Sequence, residues 1–160
     1  MALAKQVCNE LYRKHAPAAF RRAQRLLGNA SDSDDVVHDV FLALFERYEQ
    51  FRGGSSVSTY LYSAVTHACL NRLRNRRTRE GLLRSTIEIA PRDARANAEL
   101  AVIAQDLLER LPEPLAEVAV YHYLDELSQR EIAEVLGCSH THVAHLLERL
   151  TRRLEQQERA

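Results

Sequence analysis

At 160 residues, 46% of them hydrophobic and 28% charged, with no tryptophan and few glycines or prolines, the chain allows one domain or two very small ones and favours helices over a β-rich fold. Three widely spaced cysteines (Cys8, Cys69 and Cys138), without a CxxC pair, argue against a disulfide framework and for a reducing cytoplasm. The net charge of zero is a sum of opposites: residues 72–84 hold six arginines against Glu80, and residues 106–134 hold eight acids against Arg110 and Arg130.

The opening segment, "MALAKQVCNELYRKH", has no apolar run long enough for a signal peptide. Helical periodicity runs from Leu3 to Leu27, with a break expected near Pro17, whose ring removes a backbone donor. "GNASDSDD" supplies a helix stop at Gly28 and a start at Ser31, with Asp34 as the partner in a capping box. The helix predicted from about Ser33 to Tyr48 carries Val36, Val37, Val40, Phe41, Leu44 and Phe45 on one face. Asp35, His38, Asp39 and Leu42 fall on the other.

The paired glycines of "EQFRGGSS" mark a loop. A long helix is expected from Val57 to Thr78. Residues 53–71 lack Asp, Glu, Lys and Arg, but their serines, threonines, His67 and Asn71 are too polar for a membrane span, so no membrane insertion is expected. The arginines that follow form an electrostatic footprint for phosphate. Residues 81–96 read as a linker between a domain at 1–80 and another at 97–160.

In the second block "AELAVIAQDLLERL" stops at "PEP" and resumes as "LAEVAVYHYLD". Ser128 and Glu131 form a capping box, Gly137 ends that helix, and Ser139 can cap the last one. Helix, glycine-containing turn and helix make the spacing of a helix-turn-helix. In the final helix Val143, Leu147, Leu150 and Leu154 are expected to form the buried stripe, with His145, Glu148, Arg149 and Arg152 opposite.

The two blocks together resemble bacterial RNA polymerase sigma factors of the extracytoplasmic-function group, which keep only conserved regions two and four. The first block matches in "LYRKHAP", "RLLGNASDSDDVVHDVFLALFERYEQFRGGSS", "TYLYSAV" and "LNRLRNRR"; the second matches in "LPEPLAEVAVYHYLDELSQREIAEVLGCS" and "RLTRRL". The resemblance implies an all-α fold of two small domains and promoter recognition as a dissociable subunit of RNA polymerase. It implies that Asp35, His38, Asp39 and Leu42 dock on the clamp of the largest polymerase subunit, with further contacts to the second-largest. Ser55, Ser56, Tyr60, Arg72, Arg74, Arg76 and Arg77 would then serve the minus-ten element. Ser139, His140, Thr141, His145, Glu148, Arg149 and Arg152 would face the minus-thirty-five element. An anti-sigma factor is an implied partner, and no cofactor is implied.

The chain departs from the family in charge. Ser63, Thr66 and His67 stand on the promoter-facing helix where basic or amide side chains are usual, and Ala144, Leu146 and Thr151 stand where basic residues are common in the last helix. A reading helix of low intrinsic affinity is therefore expected, since each lost phosphate contact lowers the salt slope by roughly one unit. A sigma-like adaptor that binds DNA poorly is the competing reading. A metal-responsive regulator, using Cys138, His140, His142 and His145 as ligands, is a further one, since thiolate and imidazole at short spacing are metal-ligand chemistry. No nucleophile with a paired base, phosphate loop or catalytic acid pair occurs, so enzymatic activity is not expected.

Overall fold

The computed structural model describes the backbone of residues 2–48, 56–79 and 92–159, and the side chains of residues 6–48, 56–76 and 100–159. The described residues form seven α-helices and one π-helical turn, with no strand among them. The all-α expectation holds. Contacts divide the chain into two compact units, residues 1–72 and 73–160, the cut falling inside the third helix.

The first unit is built on α1 (Ala2–Leu27), α2 (Ala30–Glu46) and α3 (Val57–Arg79). α1 does not break at Pro17. Pro17 lies exposed, so the carbonyl left without its helical donor can turn to water and the helix continues. Gly28 ends α1 in the left-handed region (φ 65°), its amide donating to the Gln24 carbonyl at 2.8 Å, as the sequence predicts.

α2 starts earlier than the capping box expected at Ser31 and Asp34. The cap is Asn29, whose Oδ1 accepts from the Asp32 amide at 2.9 Å. Ser33 is fully buried, and its hydroxyl is satisfied by donating to the Asn29 carbonyl at 2.7 Å. The apolar face is the one expected: Val36, Val37, Val40, Phe41 and Leu44 are buried, and Phe41 takes Tyr12 edge-on at 4.9 Å. Ala23, Leu26 and Leu27 from α1, with Leu61, Val65, Cys69 and Leu70 from α3, complete this core.

The second unit contains α4 (Arg92–Arg110), α5 (Glu113–Ala119), a π-helical turn (Val120–Leu124), α6 (Gln129–Leu136) and α7 (His140–Glu158). α4 begins at Arg92, ahead of the start expected at Asn97. The remainder of the linker, 81–91, lies outside the described residues. "LAEVAVYHYL" is not one regular helix, because its second half widens into the π-helical turn that sinks Val120 and Tyr121 into the core. Ser128 and Glu131 form the predicted reciprocal cap, and hydrogen bonds from the Ser128 hydroxyl and amide hold the Glu131 carboxyl below its usual range.

The buried stripe of α7 differs from expectation. It is Val143, Leu146 and Leu150, with Leu147 and Leu154 only half-buried. Leu146 is 3% exposed and belongs to the core, not to a surface that lacks charge. A helix advances about 100° per residue, so position 146 lies as close to the direction of 143 and 150 as 147 does. The packing of α7 on both α5 and α6 selects the first.

Candidate nucleic-acid interface

Four features present chemistry outward: the exposed side of α2, the arginines of α3, a groove between α1 and α3, and the exposed side of α7. On α2, Asp35, His38, Asp39 and Leu42 are all exposed, Leu42 to 48%, and they line one side of the helix opposite its core stripe. Tyr12, Asp34 and Arg72 join Asp35, His38 and Asp39 around an open, mostly polar depression.

Arg72 belongs to this face as much as to the basic run. Its Nε and Nη2 donate to Asp32 Oδ1 at 3.2 and 2.9 Å, and Nη2 also donates to Asp35 Oδ2 at 2.9 Å. The hydrogen bond to Asp32 is the chief reason its guanidinium holds its proton even more firmly than usual. With both carboxylates on it, Arg72 fastens α3 to the first two turns of α2. Arg74 and Arg76 are half-buried farther along α3, while the Arg77 side chain lies outside the described residues.

At the other end of α3, Ser55 is outside the described residues. The Ser56 hydroxyl accepts from the Thr59 amide at 3.2 Å and lies 2.9 Å from the Thr59 hydroxyl, so it serves as the helix cap. Tyr60 is half-buried. Of the charge-poor positions, Ser63 is half-buried and His67 exposed, but Thr66 is fully buried and is not a surface position at all. Its hydroxyl donates to the Tyr62 carbonyl at 2.8 Å and accepts from Arg22 Nε and Nη2 at 3.2 and 3.0 Å.

Arg22 is the residue that sequence reasoning missed. Besides holding Thr66, its guanidinium lies over the Tyr62 ring, 4.4 Å from the centroid. The signal was present: residues 11–27 contain five cations and no acid. Nearby, burial pushes the Cys69 thiol up to about 12, with Arg22 pulling the other way, so this thiol stays protonated at neutral pH.

In the second unit Gly137 ends α6 with φ 64°, and the Ser139 hydroxyl accepts from the His142 amide at 3.1 Å to start α7. That turn sets α7 across α6 with His140, Thr141, His145, Glu148, Arg149 and Arg152 all exposed. Arg152 is tied to Glu148 one turn earlier through an ion pair. Cys138, His140, His142 and His145 do not converge: no three of them bring ligand atoms within 4.8 Å of one another. The arrangement offers surfaces for binding, with a polar helix projected by a helix-turn-helix as its clearest element.

Comparison with known proteins agrees with both halves. Residues 11–79 match sigma-70 region 2, and residues 101–159 match sigma-70 region 4. The chain is 28% identical over 132 residues to the ECF RNA polymerase sigma factor SigW of Bacillus subtilis, covering 74% of this chain and 71% of that one. It is 29% identical over 130 residues to the ECF RNA polymerase sigma factor SigM of Mycobacterium tuberculosis, covering 81% of this chain and 65% of that one. Two solved structures share the fold. CnrH in complex with the cytosolic domain of CnrY matches with a TM-score of 0.57 at 22% identity, over 98% of this chain and 92% of that one. The sigma factor RpoE in complex with the anti-sigma factor NepR from Bartonella quintana matches with a TM-score of 0.54 at 17% identity, over 95% and 96%.

A two-region, all-helical promoter-recognition protein is thus the class defined by fold and sequence. The chain belongs to the extracytoplasmic-function sigma factors, which direct RNA polymerase to promoters and are not enzymes. No described helix is long and apolar enough to cross a membrane.

Proposed function

We propose a division of labour in which α2 docks on core RNA polymerase, α3 and the loop before it engage the minus-ten element, and α6–α7 engage the minus-thirty-five element. The observation that carries it is the exposed row Asp35, His38, Asp39 and Leu42, set opposite a fully packed stripe on the same helix. A mixed acidic and apolar row suits a helix-on-helix contact with the clamp of the largest subunit. Within the minus-ten surface, Arg76 and Arg77 are the phosphate contacts, whereas Arg74 donates through Nη1 to Glu113 Oε2 at 3.4 Å and Arg72 acts by bracing α3 against α2. On α7, Arg149 is the base-reading residue suited to guanine, and Glu148 divides its hydrogen-bonding capacity between Arg152 and a cytosine amine.

The protein works in the cytoplasm on a signal-responsive set of genes, and an anti-sigma protein holds it inactive. What supports this is the structural neighbour RpoE, solved in complex with the anti-sigma factor NepR; CnrH, a second neighbour, is solved in complex with the cytosolic domain of CnrY. Run-off transcription with core polymerase on the protein's own upstream region tests the proposal. A discrete transcript that requires the protein, and is lost when Arg76 and Arg77 are both changed to alanine, is the expected result. Polymerase binding without a transcript would leave a sigma-like adaptor in its place.

A further inference from the structure

One outward stripe of α7 is half permanently charged and half conditionally so. His142, His145, Arg149 and Arg152 stand three, four and three positions apart, and all are exposed. At about 100° per residue they fall within roughly 80° of one another, on a side that the buried Val143, Leu146 and Leu150 leave free. His140 falls outside that sector. The half nearer the C-terminus is cationic at every working pH, with Glu148 engaging Arg152 at its edge. The half nearer the helix-turn-helix turn carries charge only when its imidazoles are protonated, a change that belongs to the range between about pH 5 and pH 8.

The fold does not supply an anion for those imidazoles. Among the described residues neither has a hydrogen bond or an ion pair. α7 packs on α5 and α6. On α5, Glu113 and Glu117 are half-buried, and Glu113 is paired with Arg74. On α6, Glu131 is taken up by Ser128, while Arg130 and Glu134 are exposed with opposite signs. Cys138 is half-buried in the turn, and on α7 itself Glu148 and Arg149, one turn from His145, balance each other. A phosphate brought to the stripe would therefore be the partner that holds both protons. We infer that His142 and His145 are phosphate contacts in their protonated form, extending the Arg149 and Arg152 row so that duplex binding by α7 takes up protons. The inference rests on α7 facing duplex DNA, and it gives that surface a regulation. Binding is tightest below the histidine range and weakens as the pH rises through it.

The test is titration of the full chain with a duplex of its own upstream region, at several salt concentrations and between about pH 8 and pH 6. Affinity at about 0.1 M salt should rise at least about tenfold over that range, and the salt slope should steepen by up to about two units, roughly 0.9 for each phosphate gained. Calorimetry in two buffers of different ionisation enthalpy should show about one proton taken up near neutral pH. His142→Gln with His145→Gln should remove most of the rise. His142→Arg with His145→Arg, at the same exposed positions, should bind at the alkaline end as tightly as the unaltered chain does at the acid end. Three results would each overturn the inference: affinity independent of pH, a rise undiminished in the folded glutamine pair, or an arginine pair that binds no tighter than the unaltered chain at the alkaline end. Run-off transcription keeps the two readings apart. A chain that directs transcription but binds duplex equally across the range loses the histidine contacts alone. One that takes up protons through these histidines on binding DNA, yet directs no transcript, keeps the contacts and loses the sigma reading.

Discussion

α2 and α7 are built alike and present opposite chemistry. Each buries a narrow stripe, Val36, Val37, Val40, Phe41 and Leu44 in one and Val143, Leu146 and Leu150 in the other, and leaves a polar side outside. The stripe decides that each is a helix of the core. It says nothing about the partner. Outside, α2 shows Asp35, His38, Asp39 and Leu42, an acidic and apolar row with no lysine or arginine. α7 shows histidines, then Arg149 and Arg152, with Glu148 set against them. A protein contact suits the first, and a weakly charged hold on a polyanion suits the second.

The largest effect expected on this comparison comes from violating the stripe. Leu146→Arg places a charge at a position 3% exposed, which costs at least about 3 kcal/mol, a large share of a small domain's stability. Thermal melts should show the second unit unfolding first, and any gain in DNA binding should be absent. If Leu146→Arg instead melts normally and binds duplex better, position 146 belongs to the outer side after all.

A smaller effect is expected on the outer side of α2. Asp39→Arg should weaken binding to core polymerase by a few kcal/mol, roughly a hundredfold, with the melting temperature nearly unchanged, since exposed helix positions are usually within about 0.5 kcal/mol of neutral. Asp35→Arg should lose stability as well, because it sets a second cation against Arg72 where a 2.9 Å ion pair now stands. A quantitative pull-down beside a melt separates the two. Full polymerase binding by a folded Asp39→Arg protein would remove the assignment of this face.

The smallest expected change is on α7. Glu148→Gln removes the acid that engages Arg152, so duplex affinity should rise several-fold at low salt and the salt slope should steepen by about one unit. Titration of duplex at several salt concentrations measures both. An unchanged slope would mean that Arg152 points away from the phosphates.

Local signals in the sequence were most reliable where one residue type does one job. Gly28, Gly137, Ser128 with Glu131, and Ser139 end or start helices as read, because a positive φ or a hydroxyl cap has few substitutes. At the start of α2 there were several candidates, and Asn29 did the capping instead of Ser31, a competition periodicity cannot referee. Thr66 and Leu146 were misread as surface for a related reason. Each lies at the margin of its stripe, and only contact with a second helix decides which margin is buried. The α2 row and the α7 side were legible as outward faces. The pairing of Arg72 with Asp32 and Asp35 was not, since those residues are about forty positions apart.

At the turn between α6 and α7, glycine is required by handedness alone. Gly137 sits at φ 64°, and a Cβ added there would meet nothing within 4 Å. No neighbour forbids a side chain; only the torsional preference of L-residues does. Its mirror image would be at ease in that conformation, so a D-alanine introduced at this point by chemical synthesis would fit the turn unstrained while narrowing the choices of the unfolded chain. The need for glycine at this turn is therefore written in the stereochemistry of one backbone unit and not in any neighbouring side chain.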